Sequence, residues 1–205
     1  MNVNFIISCH NTEHFLPLLQ QLLSSFKDIK PNITVAYAGN QDIPCHVRIN
    51  PDAVDPKFLE LALTVEGFRA ARKMYPNVKR FIKLKANVWP TNEAALMDLF
   101  SKLDENKTPY AGNNWHHNLS GSLSTDFFAM DITYGDFLGN INQAINDTEV
   151  TIFQYLVARM KKKPYLIPER EPVHYRNLYE CKPLGLVMYD TVEKNLHIMR
   201  DWKIE

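Results

Sequence analysis

The sequence predicts an α/β fold: a three-layer sandwich in which a mostly parallel central sheet carries helices on both faces, with an irregular, strand-rich C-terminal part. Two observations favour this fold class. Short apolar runs alternate with amphipathic helical patterns over the first 105 residues, and glycine or proline follows several of these segments. Right-handed crossovers are then expected between the parallel strands.

Strands and helices alternate in the first half of the chain. We predict strands at residues 3–8, 33–40 and 45–49, a strand that runs into a loop within residues 80–90, and helices at residues 15–26 and 57–75. Pro17 lies in the first turn of the first helix, where its missing N–H removes no hydrogen bond. Gly67 lies inside the second helix, which it weakens. Thr91 is predicted to cap a third helix that ends near Leu103.

The second half is predicted to be strand-rich, with one clear helix. Strand segments are expected at residues 109–115 and 124–132, a helix at 149–162, a short strand within 163–168, and a hairpin or strand pair at 185–199. We find no internal repeat, low-complexity tract or linker. We therefore expect one domain, residues 1–205.

Composition excludes several classes of function. The 23 basic and 23 acidic residues cancel, whereas a dedicated nucleic-acid binder is normally basic. Only seven glycines are present, and neither G-x-G-x-x-G nor G-x-x-x-x-G-K-[ST] occurs. The N-terminus lacks a signal-peptide pattern, no apolar run has membrane-spanning length, and the three cysteines form no C-x-x-C pair. We expect a cytoplasmic protein with reduced thiols and no membrane span.

The zero net charge hides two opposed blocks. Residues 67–92 contain seven bases and no acid, and residues 108–158 contain five acids and no lysine or arginine. Three of the bases, Arg69, Arg72 and Lys73, also fit a solvated helix face. Lys83 and Lys85 lie on one face of an apolar strand, where their charges repel unless an anion or a carboxylate lies between them. This pattern favours an anionic ligand beside at least one of these two lysines.

Four segments of the chain follow one another in a characteristic order. They are FIISCHNTEHFLPLLQQLL, AYAGNQD, LTVEGFRAARKMYPNVKRFIKLKANVWPTNEAAL and NDTEVTIFQYLVARMKKKPYLIP, and they extend over about residues 4–168. In this order they resemble a GT-A-fold glycosyltransferase, the nucleotide-diphospho-sugar transferase fold. The resemblance implies a nucleotide-binding half at about residues 1–105 and an acceptor and catalytic half at about residues 106–205.

The resemblance and the chemistry that sugar transfer requires together indicate roles for particular residues. Contacts with the nucleotide-sugar are expected from Ser8, His10, Asn11, Asp42, Lys83, Lys85, Asn87, His174 and Arg176. Glu149 is expected to be the carboxylate base of an inverting transfer, with Asp126 as the next candidate. Their structural alternatives are a helix N-terminal acid for Glu149 and a turn residue for Asp126. Trp115 is expected to stack on the acceptor or the sugar, or else to anchor a loop.

The chain departs from the family where a metal is normally bound. Lys85-Ala86-Asn87 stands in place of Asp-x-Asp, and the wider segment Lys83 to Asn87 is closer to the Lys-x-Arg-x-Asp of a branch that makes surface polysaccharides. A lysine would then supply the positive charge that a divalent metal gives the leaving diphosphate. We predict no firm metal site, while Mn²⁺ or Mg²⁺ stays open through Asp126.

The sequence therefore predicts a glycosyltransferase that moves a sugar from a nucleotide-sugar such as a UDP-sugar to a glycan or glycoconjugate hydroxyl, in polysaccharide or glycoprotein glycan synthesis. One alternative is a nucleotide- or sugar-binding module of the same fold without catalysis. Another is an unrelated hydrolase using Ser122 or Ser124 with His116, although no G-x-S-x-G is present. His10 and His14 do not form the H-E-x-x-H zinc motif. A further alternative is that the chain is one part of a larger multi-domain enzyme.

Overall fold

The structure is a computed structural model that describes residues 1–112, 125–141, 151–152, 160–166, 171–172, 178–181 and 186–189. The described strands are β1 (Asn2–Cys9), β2 (Lys30–Ala38), β3 (Val47–Ile49), β4 (Arg80–Lys85), β5 (Val88–Pro90), β6 (Tyr110–Gly112), β7 (Phe127–Asp131), β8 (Tyr165–Leu166), β9 (Glu171–Pro172), β10 (Leu178–Cys181) and β11 (Leu186–Tyr189). The described α-helices are α1 (Leu16–Ser24), α2 (Leu59–Met74), α3 (Glu93–Glu105) and α4 (Ile132–Gly139).

A seven-stranded sheet forms the centre of the described structure, in the order β3-β2-β1-β4-β7-β6-β8. Strands β3, β2, β1 and β4 are parallel, β7 runs antiparallel to both of its neighbours, and β8 is parallel to β6. A smaller antiparallel sheet has the order β5-β11-β10-β9. The central sheet is therefore mostly parallel, as predicted.

Two apolar cores lie on opposite faces of the central sheet. On one face, Val3, Phe5 and Ile7 of β1 pack with the apolar side chains of α1 and α3. On the other face, Ile6 of β1 and Phe81 of β4 pack with α2 and α4. Alternation along β1 thus feeds both cores, as expected for a strand covered by helices on both faces. The predicted three-layer α/β sandwich is confirmed.

Gly67 explains how α2 lies so close to the sheet. A Cβ atom at this position would stand 2.7 Å from Cγ2 of Ile6 and 3.2 Å from the Cβ of Ala36. Glycine in a helix costs about 1 kcal/mol relative to alanine, and here the missing side chain permits the contact with β1 and β2. The helix is predicted correctly, and the packing supplies a reason for the glycine inside it.

Several local predictions differ from the structure. The N-cap of α3 is Asn92, whose side chain accepts a hydrogen bond from the Ala95 amide, so the prediction of Thr91 as the cap is wrong. Residues 80–90, predicted as a strand running into a loop, contain β4, a turn and a second strand, β5. Helix α4 was not predicted, because its two glycines weaken the helical pattern. Its start was still signalled by Asp131, whose carboxylate accepts from the Thr133 and Tyr134 amides.

The structure describes only parts of the segments predicted after residue 148. Of the helix predicted at residues 149–162, the structure describes 151–152, which are helical, and 160–162, which are not, so the predicted end of the helix is wrong. The short strand predicted within residues 163–168 is confirmed as β8. Strand β11 lies in the predicted C-terminal strand pair, but it pairs with β10 and β5, upstream of that segment.

Candidate functional site

The order of the central sheet places a crevice between β1 and β4. From β1 the chain proceeds to β2 and β3 on one side, and α2 then returns it to β4 on the other side of β1. In open α/β sheets, ligands bind at the carboxyl ends of the strands where the strand order reverses in this way. The structure has a cleft of about 230 Å³ at this point, called here the carboxyl-end cleft, lined by Ser8, His10, Asn11, Thr12, Glu60 and Lys85.

Lys83 lies beneath this cleft and forms a buried ion pair with Glu60. Its side chain is 0% exposed, and its Nζ donates to Oε1 of Glu60 and to the backbone oxygen of Thr125. The hydroxyl of Ser8 donates to the same Oε1 over 2.7 Å. A buried ammonium is tolerated only when it is paired and hydrogen-bonded. Glu60 is thus the carboxylate that the charges of Lys83 and Lys85 require.

Glu60 carries its negative charge at the floor of the carboxyl-end cleft. Burial by itself would raise the pKa of this carboxyl, but the ammonium groups of Lys83 and Lys85 outweigh burial and lower the pKa below its ordinary value. Glu60 also lies in the first turn of α2, where the helix dipole favours a negative charge. The cleft therefore contains an ionised carboxylate at neutral pH.

Lys85 is the cation that faces the cleft. Its Nζ lies 2.7 Å from Oδ1 of Asp126, and the side chains of Lys85 and Asp126 are 33% and 15% exposed. Backbone hydrogen bonds hold the same residues together. The Lys85 amide donates to the backbone oxygen of Asp126, and the Ala86 amide donates to the backbone oxygen of Ser8. Lys85 and Asp126 therefore bring the basic and acidic blocks of the sequence into contact at the carboxyl end of β4.

The loop after β1 forms the opposite wall. His10 Nδ1 lies 3.0 Å from the backbone oxygen of Ala38, which can only accept, so this nitrogen carries the proton. The Nδ2 group of Asn11 then donates to His10 Nε2 over 3.2 Å. Asn11 has a φ of 56°, a left-handed conformation that asparagine tolerates better than most residues. This turn directs both polar side chains to the edge of the sheet.

The structure thus brings together four of the sequence-predicted residues, Ser8, His10, Asn11 and Lys85, in one cleft. Asp126 contacts Lys85 at its border, Lys83 lies below it, and Asn87 is buried in the turn that follows β4. The structure places Asp42 elsewhere: it is exposed and lies 3.8 Å from Arg48. Glu149, Trp115, His174 and Arg176 lie outside the described residues.

The sequence reasoning missed Glu60, although α2 contains a signal for it. Thr64, Gly67 and Ala71 follow Glu60 at helical spacing, and all three are buried. Such a stripe of small residues allows a helix to approach a sheet closely. An acid at the head of this stripe is therefore carried to the carboxyl ends of the strands. The hydrophobic periodicity of α2 identifies only the apolar face at Leu61, Val65 and Phe68, which does not include Glu60.

The residues of the cleft do not fit a divalent cation. Lys85 contributes an ammonium to the cleft, and Asp126 accepts from that ammonium. Within the described ranges, no group of three or more His, Cys, Asp or Glu side chains is arranged to hold a metal ion. The two carboxylates here are paired with ammonium groups, Glu60 with Lys83 and Asp126 with Lys85, and neither belongs to a set of three ligands among the described residues.

A second, larger cavity lies at the opposite end of the sheet. It has a volume of about 540 Å³, is called here the amino-end cavity, and is lined by residues that include Leu103, Lys107, Asp131, Phe137, Met160 and Lys162. Asp131 is paired in register with Arg80, the first residue of β4, which places the cavity far from Lys85. None of the sequence-predicted site residues that the structure describes lines it. No helix in the described segments has the length and apolar character needed to cross a membrane.

Comparisons with known proteins agree with this architecture. No family model matches the chain, and no curated protein matches it in sequence. Among solved structures, a glycosyltransferase involved in the glycosylation of the major capsid of PBCV-1 is similar, with a TM-score of 0.55, 12% identity and 82% of each chain covered. A cytidylyltransferase from Leptospira borgpetersenii serovar Hardjo-bovis is also similar, with a TM-score of 0.51 and 15% identity over 86% of this chain and 80% of that chain. The chain therefore shares its fold with these two transferases.

Proposed function

We propose that this protein is a glycosyltransferase that takes a nucleotide-sugar as donor and a glycan or glycoconjugate hydroxyl as acceptor. The observation that carries this proposal is the position of the carboxyl-end cleft: it lies where the strand order reverses, and it contains a lysine, a serine and an asparagine beside one another. The fold shared with a glycosyltransferase supports the same proposal.

Lys85 is the group proposed to receive the diphosphate. Its side chain is partly exposed at the cleft, whereas that of Lys83 is fully buried against Glu60. An ammonium held in a partly dehydrated cleft stabilises the negative charge that develops on the leaving diphosphate. In this proposal Lys83 acts indirectly, by holding Glu60, and the loop of His10 and Asn11 contacts the nucleoside.

The transfer requires a carboxylate base, for which Glu149 and Asp126 are proposed. The base removes the proton of the acceptor hydroxyl as its oxygen bonds to the anomeric carbon of the donor. The bond from that carbon to the phosphate oxygen breaks, and its electron pair leaves with the diphosphate. A direct displacement of this kind inverts the anomeric centre. No step uses a metal, because Lys85 supplies the positive charge.

A binding module without catalysis is the second candidate. Lys85 and Asp126 contact each other at 2.7 Å, so the described carboxylate nearest to the cation is already paired with it. A module that only binds a nucleotide or a sugar would tolerate this pairing. In an enzyme, the nucleotide-sugar would have to displace Asp126 from Lys85.

Calorimetric titration with UDP, CDP, GDP and TDP, and with their hexose derivatives, tests the proposed binding. Lys85→Ala should weaken binding about ten- to hundred-fold, because hydrogen bonds to charged groups contribute about 1.5–3 kcal/mol. Lys79→Ala is the matched control, since Lys79 is exposed and immediately precedes the opposite end of β4. Equal affinity of both variants for every nucleotide would reject the site.

Donor turnover separates the enzyme from the binding module. The wild-type protein should release nucleotide diphosphate from one nucleotide-sugar, Glu149→Gln or Asp126→Asn should slow that release at least ten-fold, and EDTA should leave it unchanged. Binding without release from any tested donor would favour the module. Release that requires added Mn²⁺ would reject the proposed role of Lys85.

A further inference from the structure

The unassigned carboxylate of Glu60 is placed to contact a ligand. Its Oε1 accepts from Ser8 and Lys83, and among the described residues Oε2 has no hydrogen-bond partner. The side chain is 21% exposed, and Glu60 lines the carboxyl-end cleft together with Lys85. One oxygen of this cleft-lining carboxylate is thus fixed by the protein, which leaves the other able to accept from a ligand.

We propose that Glu60 binds ring hydroxyl groups of the nucleotide-sugar, and this inference rests on the function proposed above. An ionised carboxylate can only accept hydrogen bonds. It repels phosphate and attracts hydroxyl donors. Lys85, in the same cleft, has the opposite preference. The two charges together select a ligand that presents a phosphate on one side and sugar hydroxyls on the other.

The size and rigidity of the site fit this ligand. Cavities that enclose whole drug-sized ligands measure about 300–1,000 Å³, and the cleft has about 230 Å³. It therefore encloses a part of a nucleotide-sugar, such as one sugar ring with its phosphate. Glu60 is held in place by Lys83 from below and by Ser8 from β1, so its free oxygen needs no rearrangement to accept a hydroxyl. The hydroxyls belong either to the ribose or to the transferred sugar.

Ligands that lack one hydroxyl test the inference. Binding of UDP, CDP and GDP is compared with binding of their 2′-deoxy counterparts, and binding of UDP-glucose with that of UDP-2-deoxyglucose. For one pair, the wild-type protein should prefer the hydroxylated ligand about ten-fold or more, the effect of losing a hydrogen bond to a charged group. Glu60→Gln should reduce this preference to about two-fold. The pair that responds identifies which ring Glu60 contacts.

Two further variants keep the test independent of folding. Glu66→Gln is the matched control, because Glu66 lies on the same helix outside the cleft lining and forms a surface pair with Arg69. If Glu60→Gln leaves Lys83 uncompensated and unfolds the protein, the double variant Glu60→Gln with Lys83→Met removes both charges and should show the same loss of preference.

The results separate this inference from the proposed function. If the wild-type protein binds none of the nucleotides, both are rejected. If it binds them, and Glu60→Gln weakens each hydroxylated and deoxy ligand by the same factor, Glu60 only supports the fold and this inference alone is overturned.

Discussion

The two ends of the central sheet show different ways of placing charge. The carboxyl-end cleft is small, about 230 Å³, and rests on a fully buried lysine and a largely buried carboxylate. The amino-end cavity is larger, about 540 Å³, but its ion pair Arg80–Asp104 is more exposed, at 24% and 64% of the side chains. Asp131 in its lining caps a helix. Burying a charged pair costs free energy, and an apolar pair of similar size often stabilises a fold as well or better. A buried charged pair is therefore better explained by function than by stability, so the carboxyl-end cleft is the better candidate site.

The largest difference between the two ends should appear in stability. Lys83→Met leaves Glu60 without its buried partner and should reduce the free energy of unfolding by about 3–5 kcal/mol. Arg80→Met breaks a surface pair on the same strand and should cost about 1 kcal/mol or less. Urea denaturation measures both. Similar losses would show that the buried pair is no more than a surface salt bridge.

Ligand binding should respond to the carboxyl end alone. We expect Lys85→Ala to weaken nucleotide binding at least ten-fold, because it removes the cation that faces the cleft. Lys107→Ala, in the amino-end cavity, should change the dissociation constant less than two-fold. Both are measured by titration calorimetry. Weakening by Lys107→Ala equal to that by Lys85→Ala would place the ligand at the wrong end of the sheet.

The two ends should also respond to pH with opposite signs. The pKa of Glu60 is lowered, so its contribution to stability is present above its ordinary value of 4.5 and is lost as the pH falls through the folded pKa. Burial raises the pKa of Asp131, so its contribution is present below 3.8 and is lost as the pH rises through the folded pKa.

Substitution of each carboxylate by its amide separates the two contributions. Between about pH 3 and pH 7, Glu60→Gln should flatten the acid-side fall of the unfolding free energy. Asp131→Asn should raise stability at pH 7 relative to pH 3, because asparagine retains the cap and does not ionise. Chemical denaturation at several pH values measures these slopes, and equal slopes in the wild type and both variants would refute the assignment.

The smallest expected effects concern the N-caps of α3 and α4, which stabilise the two helices in the same way. Asn92→Ala at the start of α3 and Asp131→Ala at the start of α4 should each cost about 1 kcal/mol. Thermal or urea unfolding measures both. A loss at Asp131 several times that at Asn92 would mean that Asp131 has a role beyond capping, and the amino-end cavity would need a new interpretation.

Much of the fold could be predicted because local patterns dominate it. Strand β1 is an unbroken apolar run, and the leucines of α1 repeat at helical spacing after Pro17. Helix α4 could not be predicted in this way, since Gly135 and Gly139 are poor helix formers. Their absent side chains make room for Phe68 of α2, whose ring carbons would lie 2.2 Å and 3.1 Å from a Cβ at these two positions. The reason for these glycines is a contact between elements far apart in sequence.

Only some residues of the candidate site could be predicted from the sequence, for a related reason. Ser8, His10, Asn11 and Lys85 are polar residues at the ends of predicted strands, and parallel strands bring such ends together. Glu60 lies on a helix, and its position depends on how closely that helix packs. Asp42 follows a strand end as well, yet its loop directs it to solvent and to Arg48.

The sequence by itself determined the alternation of strands and helices, the common face of Lys83 and Lys85, and the need for a negative charge near them. These properties follow from periodicity along the chain and from repulsion between like charges. Only the tertiary structure decided that Glu60 supplies this negative charge, that Lys83 is buried and Lys85 exposed to the cleft, and that Asp126 contacts Lys85. Those choices depend on distances between residues 23 to 42 positions apart in the chain, which packing alone sets.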